Sequence, residues 1–325
     1  MRTVERCPSC FEALGSEPCE CGYPASIGGH PDDLAVGTTL DSGHLVLGRV
    51  LGHGSFGTTY LAWDPMLRRK VVVKEFLPGA LAGRDPSTGR ASPFTLPQRE
   101  VFEFAREQFR KEARVLGQFH HPNIVQVLGF LRDNGTDYLV TEHLSGLTLA
   151  DYIQRHGPAP EESAILLIRI ALTGLSEVHR QRNGMYYVHR NIKPSNVFLA
   201  NVGQSIVPKL VDFGAARLAV GERSHNLAQV LAPGYAAPEQ YRSWGVHGPW
   251  TDVYAVGATL CYALTGSDPP CAIDRLESVD VSDLAIRPRS VSQSLLDAIG
   301  LAMSIDPKSR PKDAASMLAA LDSIA

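Results

Sequence analysis

No stretch of this chain is apolar for long enough to cross a bilayer, and the most hydrophobic one, VYAVGATLCYALTG (253 to 266), reads as a buried core helix. The amino terminus, MRTVERC, lacks the hydrophobic region of a signal peptide, so a cytoplasmic chain with no membrane partner is expected. A basic excess is missing as well. With 31 Lys and Arg against 34 Asp and Glu, the net charge of -3 argues against a nucleic-acid partner. Internal repeats and low-complexity blocks are absent. What remains is an ordinary globular composition, 44% hydrophobic and 20% charged over 325 residues, enough for one two-part domain and a small appendage.

Cysteine is scarce except in one place: four of the six lie within the first 21 residues. Cys7, Cys10, Cys19 and Cys21 form CPSC, an eight-residue spacer and CEC followed by Gly22. In a reducing compartment disulfides are disfavoured, whereas paired thiolates on two tight turns can surround Zn²⁺ tetrahedrally. The CxC half departs from the usual CxxC. A tail carrying reactive thiols is the alternative, and His30 is a loop histidine that could replace one cysteine. With no open coordination position in the pattern, the metal would be structural. Residues 1 to 28 are therefore expected to form a small zinc-ribbon-like module, and the Gly- and Pro-containing stretch 29 to 43 a linker that leaves it independent.

The main domain is expected from 44 to 325, divided at about residue 144. LVLGRVLGHGSFGTTYLAWD (45 to 64) alternates like a strand on both sides of Gly52, Gly54 and Gly57, which predicts a hairpin. Glycines there let backbone approach phosphate oxygens, although plain hairpins and Rossmann turns share the pattern. A following strand, rather than a helix, disfavours the Rossmann alternative. RRKVVVKEF (68 to 76) reads as that next strand, with Val72 and Lys74 on one face and Val71 and Val73 on the other. A lysine in so apolar a run must snorkel to water or meet an anion. The helical stretch 99 to 119 offers a carboxylate: Glu112 is framed by Phe109, Val115 and Leu116, and Glu107 is not. EESAILLIRIALTGLSEVH (161 to 179) has the apolar period of a second long helix.

In order along the chain stand GHGSFG, VVVK, Glu112, HPNIV, YLVTEHL, HRNIKPSN, VDFG, YAAPEQY, TDVYAVG and DPKSRP. With these motifs the chain from about 44 to 325 resembles the eukaryotic-type protein serine/threonine kinases, as found in bacteria. The resemblance implies an α+β, bilobed fold, with a small β-rich N-lobe, a larger helical C-lobe, and ATP with Mg²⁺ as cofactors beside the expected Zn²⁺. It implies that Gly52, Gly54 and Gly57 cover the triphosphate, that Lys74 contacts it while paired with Glu112, and that Asp212 and Asn196 hold Mg²⁺. Lys193 would steady the transferred phosphate. Thr59, Val72 and Phe198 would enclose the adenine, and Glu142 and Leu144 would offer backbone groups at the hinge. Thr141 would be the gatekeeper. Glu239 with Arg310, and Asp252 with the catalytic-loop backbone, would be architectural, and His189 a core histidine. The partners implied are a protein substrate and a second copy of the chain for trans-autophosphorylation.

One carboxylate is missing from this set. HRNIKPSN (189 to 196) carries Asn191 at the catalytic position where the resemblance calls for the aspartate that orients the acceptor hydroxyl and takes its proton. An amide cannot accept that proton. Ala232 likewise replaces the threonine expected to bond the same carboxylate, and Ser224 is the only serine or threonine between Asp212 and Glu239. An impaired kinase, deliberately silenced or not, and a natural nucleotide-binding pseudokinase are both compatible with these exchanges. A small-molecule phosphotransferase usually lacks the DFG-to-APE segment that YAAPEQY completes, and a pure zinc-ribbon adaptor would need no ATP site.

Overall fold

The computed structural model describes residues 6–14, 19–23, 29–54, 56–180, 186–213, 231–242, 245–277 and 291–324. They form two compact units, the first comprising 1–117 with 126–143 and the second 118–125 with 144–325. Residues 118–125 group with the second unit although they precede the last strand of the first. Among the described residues no helix is long and apolar enough to cross a membrane.

The first unit is built on a six-stranded antiparallel sheet ordered β1(Thr39–Leu40), β2(Leu45–Gly54), β3(Gly57–Asp64), β4(Arg69–Glu75), β8(Thr136–Glu142), β7(Val127–Asp133). Register pairs Tyr60 with Val73 and Val73 with Val140, so these β-branched and aromatic residues stack on one face. They join Leu40, Leu47, Ala62, Val71 and Tyr138 in the core of the unit. Thr59, Lys74, Val72 and Thr141 occupy the other, half-open face. A short hairpin, β5(Ala82–Arg84) and β6(Ala91–Pro93), precedes α1(Leu96–Leu116), whose N-terminus is capped by Thr95 accepting from the Gln98 N–H. Residues 102, 105, 109 and 112 recur at helical spacing, and all four are buried. Phe102 and Phe109 pack against Phe76, and Arg106 and Arg110 both reach the fully buried Asp137 carboxylate at 2.9 and 2.6 Å.

The stretch expected to be a linker is structural in part. Thr39 and Leu40 pair with Val46 and Leu45, and Leu40 is fully buried, because a spacing of two puts an apolar side chain on the core face. The cysteine segment is not independent either. Arg49 N–H donates to Ser9 O at 2.9 Å, Phe11 stacks on Trp63 at 5.9 Å, Arg6 lies over the same indole at 4.5 Å, and Lys70 pairs with Glu12. Gly48 makes that approach feasible: a Cβ there would lie 2.4 Å from Ser9 O and 2.6 Å from the Phe11 ring.

The second unit is mostly helical: α2(Leu149–His156), α3(Glu161–His179), α4(Pro249–Thr265), α5(Ala272–Glu277), α6(Gln293–Ala302) and α7(Ala314–Asp322). A small sheet, β9(Gly146–Thr148), β10(Val197–Val202) and β11(Ser205–Leu210), pairs in the order β11-β10-β9. Helix α3 has the bounds that its apolar period predicts, and α4 is buried along nearly its whole length. Glu239 and Arg310 form the expected buried pair, at 2.8 and 3.1 Å, and Thr251 donates to Glu239 at 2.8 Å.

Candidate active site

Each unit carries some of the candidate site residues. In the first, the sheet closes at its end as a hairpin in which Gly52 pairs with Thr59 and Gly54 with Gly57. The three glycines are not equivalent. Gly57 has φ +141 and packs so closely on the chain after β4 that a Cβ would fall 2.0 Å from Glu75 O, so the fold itself demands glycine there. Among the described residues nothing lies within 4 Å of a Cβ at Gly52, and at Gly54 only Gly57 O does, at 3.6 Å. The fold does not require these two to be glycine, whereas a ligand seated on the backbone would.

Lys74 is the register partner of Thr59 on β3 and Leu139 on β8, and Val72 that of Leu61 and Thr141. The apolar strand therefore presents the ammonium on the same face as Thr59, Val72 and Thr141. Glu112 lies 7% exposed on the sheet-facing side of α1, whereas Glu107 pairs with Arg110 and Arg114 nearer solvent. At the end of β8, Glu142 N–H donates to Gln126 O at 3.0 Å, and its carboxylate accepts from Gln126 N–H at 2.9 Å. Leu144 falls in the second unit.

In the second unit Asp252, fully buried at the start of α4, accepts from the backbone N–H of His189 and Arg190, both at 2.7 Å, and from His179 at 2.8 Å. Although burial disfavours its charge, the bond from His179 holds this carboxyl below the ordinary range. The turn so anchored places Arg190 in the left-handed region at φ +63. Burial pushes the His189 imidazole down to about 4, and its ring packs 4.1 Å from Phe213. Asn191 follows. Its side-chain amide donates to Asp212 O at 3.3 Å and to the Asp212 carboxylate at 3.4 Å, while its own carbonyl accepts from the Asn196 amide at 2.7 Å. Asp212 is also left-handed, at φ +57. Since the Asn196 nitrogen is engaged by Asn191, its amide oxygen is the group that a hard cation would take, together with the Asp212 carboxylate. Lys193 extends just before the turn Pro194–Asn196, and Phe198 pairs with Thr148 and Lys209 across the small sheet. Gly214 of the DFG motif, and Ser224, lie outside the described residues.

The four cysteines converge. All their sulfurs lie within 4.8 Å of one another, with Cys7 to Cys21 and Cys10 to Cys19 both at 3.6 Å. Thiolates around tetrahedral Zn²⁺ sit about 3.8 Å apart, so the donor set and its spacing fit that ion.

Sequence reasoning did not find Glu75. This fully buried carboxylate accepts from Arg84 with both oxygens, at 2.9 and 2.8 Å, and from the Tyr60 and Tyr138 hydroxyls at 3.2 and 2.6 Å. A charge next to Lys74 in a β-branched run was the available signal.

The protein kinase domain family matches residues 45–320. Among curated proteins, the serine/threonine-protein kinase PrkC of Bacillus subtilis is 30% identical over 292 residues, covering 87% of this chain and 41% of that protein. The serine/threonine-protein kinase PknB of Mycobacterium tuberculosis is 34% identical over 294 residues, 85% of this chain and 42% of that protein. The chain thus spans about two fifths of the length of these relatives. A solved structure, PpkA-294 in its apo form, superposes with TM-score 0.77 at 31% identity, over 89% of this chain and 99% of that one. The PknI kinase domain of Mycobacterium tuberculosis superposes at TM-score 0.64 and 22% identity over 90% and 98%, a likeness of fold. The strand-rich first unit and helical second unit are the two lobes of that fold, and the chain belongs to the protein kinase domain family.

Proposed function

We propose that the chain is an ATP-dependent protein serine/threonine kinase domain, and that Asn191 slows its transfer of the γ-phosphate to a protein hydroxyl. The observation that carries this reading is the junction of Asn191, Asn196 and Asp212, bonded at 2.7 to 3.4 Å and held by two left-handed residues. Such strain needs support from its surroundings and is concentrated at sites of chemistry. The relatives PrkC and PknB, both serine/threonine-protein kinases, support the same reading.

Phosphoryl transfer needs positioning and charge neutralisation more than covalent help from the protein. Gly52, Gly54 and Gly57 would cover the phosphates with backbone. Lys74, with Glu112, would supply a fixed positive charge, and Lys193 would steady the transferred group. Asp212 and Asn196 would hold Mg²⁺, which when bound neutralises charge on the phosphate oxygens. Thr59, Val72 and Phe198 would enclose the adenine, with the Glu142 carbonyl and Leu144 as backbone contacts. Asn191 turns its amide nitrogen to Asp212, leaving its oxygen to accept a bond from the substrate hydroxyl, which it orients without removing the proton. The cysteine module would carry one structural Zn²⁺. The partners would be a protein substrate and, for phosphorylation in trans, a second copy of the chain.

A pseudokinase that binds nucleotide without transfer is the second reading, favoured by Ala232 beside Asn191 in the set of exchanged residues. Mass spectrometry of the ATP-treated chain, with position 191 as Asn and as Asp, separates the two. Added phosphate on serine or threonine only after Asn191→Asp supports the slowed kinase. No added phosphate in either protein supports the second reading.

A further inference from the structure

The segment before the first strands of the sheet is tied to the glycine hairpin. Asp33, with a side chain only 8% exposed, sends its carboxylate to both arms at once: one oxygen meets His53 Nε2 at 2.8 Å and accepts from the Thr58 hydroxyl at 3.3 Å. His53 and Thr58 face each other in register between the Gly52–Thr59 and Gly54–Gly57 pairs. The second oxygen accepts from His30 N–H at 2.8 Å, which fixes the carboxylate from behind. On either side the chain is anchored again. Asp32 accepts from the Arg84 N–H and Nε, both at 2.7 Å, and Leu34 N–H donates to the Tyr60 hydroxyl at 3.0 Å. Arg84 and Tyr60 both end on Glu75, the residue after Lys74.

A hairpin with two glycines that the fold does not require has little of its own to hold it in one conformation. Backbone that must meet several phosphate oxygens works best when fixed beforehand, since ordering it on binding costs affinity. We propose that Asp33 is a positioning residue for nucleotide: by joining His53 to Thr58 it sets the glycine hairpin for the phosphate groups, and residues 30 to 34 belong to the nucleotide-binding apparatus. This rests on the kinase reading of the site. The ligand concerned is the triphosphate, not the nucleoside, because the carboxylate acts at the hairpin rung and not on the face bearing Val72 and Thr141.

The test compares Mg²⁺-AMP-PNP with adenosine in calorimetric titrations of the whole chain, of Asp33→Asn and of His53→Ala. Each variant loses one charge-assisted contact, so AMP-PNP affinity should fall about tenfold while adenosine affinity stays within about twofold. His53 is half exposed, so its variant keeps the fold even if Asp33→Asn weakens it. Unchanged AMP-PNP affinity in His53→Ala, or an equal loss for both ligands, would overturn the inference and leave the kinase reading standing. Failure of the unmodified chain to bind AMP-PNP would overturn both.

Discussion

The Asn191 amide donates to the Asp212 carboxylate at 3.4 Å, a contact that an ionised aspartate at position 191 could not make. An aspartate there would set two carboxylates against each other, and like charges at that distance oppose ionisation of both. Without metal, Asn191→Asp should lose about 1 kcal/mol, or roughly 2 to 4 °C in Tm. Mg²⁺ with nucleotide should narrow the gap, because a dication held by Asp212 and Asn196 would offset the repulsion between the carboxylates. Scanning calorimetry with and without Mg²⁺-nucleotide checks it; a gap that widens on adding metal would contradict the assigned metal position.

The buried network beyond Lys74 makes a second prediction. Glu75→Gln would leave the Arg84 guanidinium, 8% exposed, without its charge partner. The loss should be about 3 to 5 kcal/mol, since removing one member of a buried pair strands the other. Exchanging both, as Glu75→Gln with Arg84→Met, should recover part of it in urea unfolding.

Docking of the cysteine segment predicts separable effects. One zinc per chain is expected by elemental analysis, and Cys7→Ser with Cys10→Ser should abolish it. Gly48→Ala should keep the zinc but unseat the segment, because the new methyl group would fall 2.4 Å from Ser9 O. Trp63, relieved of Phe11 and Arg6, should then shift its fluorescence to the red. Unchanged emission in Gly48→Ala would contradict the docked arrangement.

His189 gives the pH dependence. Its imidazole titrates near 6.5 when unfolded and at about 4 when folded, so between those values the unfolded chain binds the extra proton. Stability should therefore be fully present above pH 6.5 and fall as pH drops towards 4, by about 1.4 kcal/mol per unit for this one group. His189→Phe should flatten that part of the profile in chemical unfolding between pH 7 and 5.

Much of the site was legible because it is local. The glycine hairpin, the facing of Lys74, the burial of Glu112 and the span Glu161–His179 all follow from periods of two or 3.6. What escaped depends on pairing between residues far apart in the chain. Asp33 meets Thr58 across 25 positions, Arg84 meets Asp32 across 52, and Lys70 meets Glu12 across 58. Glycine and proline between 29 and 43 read as spacer, yet the acidic and apolar residues among them carry the contacts. Composition reports backbone freedom and says nothing of what Asp33 or Leu40 will touch.

The central claim is that this domain transfers phosphate and that Asn191 limits it. Labelled-phosphate transfer from ATP, by this chain, Asn191→Asp, Ala232→Thr and the double variant, tests it most directly. The account predicts a gain of roughly 10²- to 10⁴-fold in Asn191→Asp alone, the scale of a general base. Transfer only in the double variant would mark a decayed site instead, and transfer by none of the four would contradict the claim that this domain is a kinase in function.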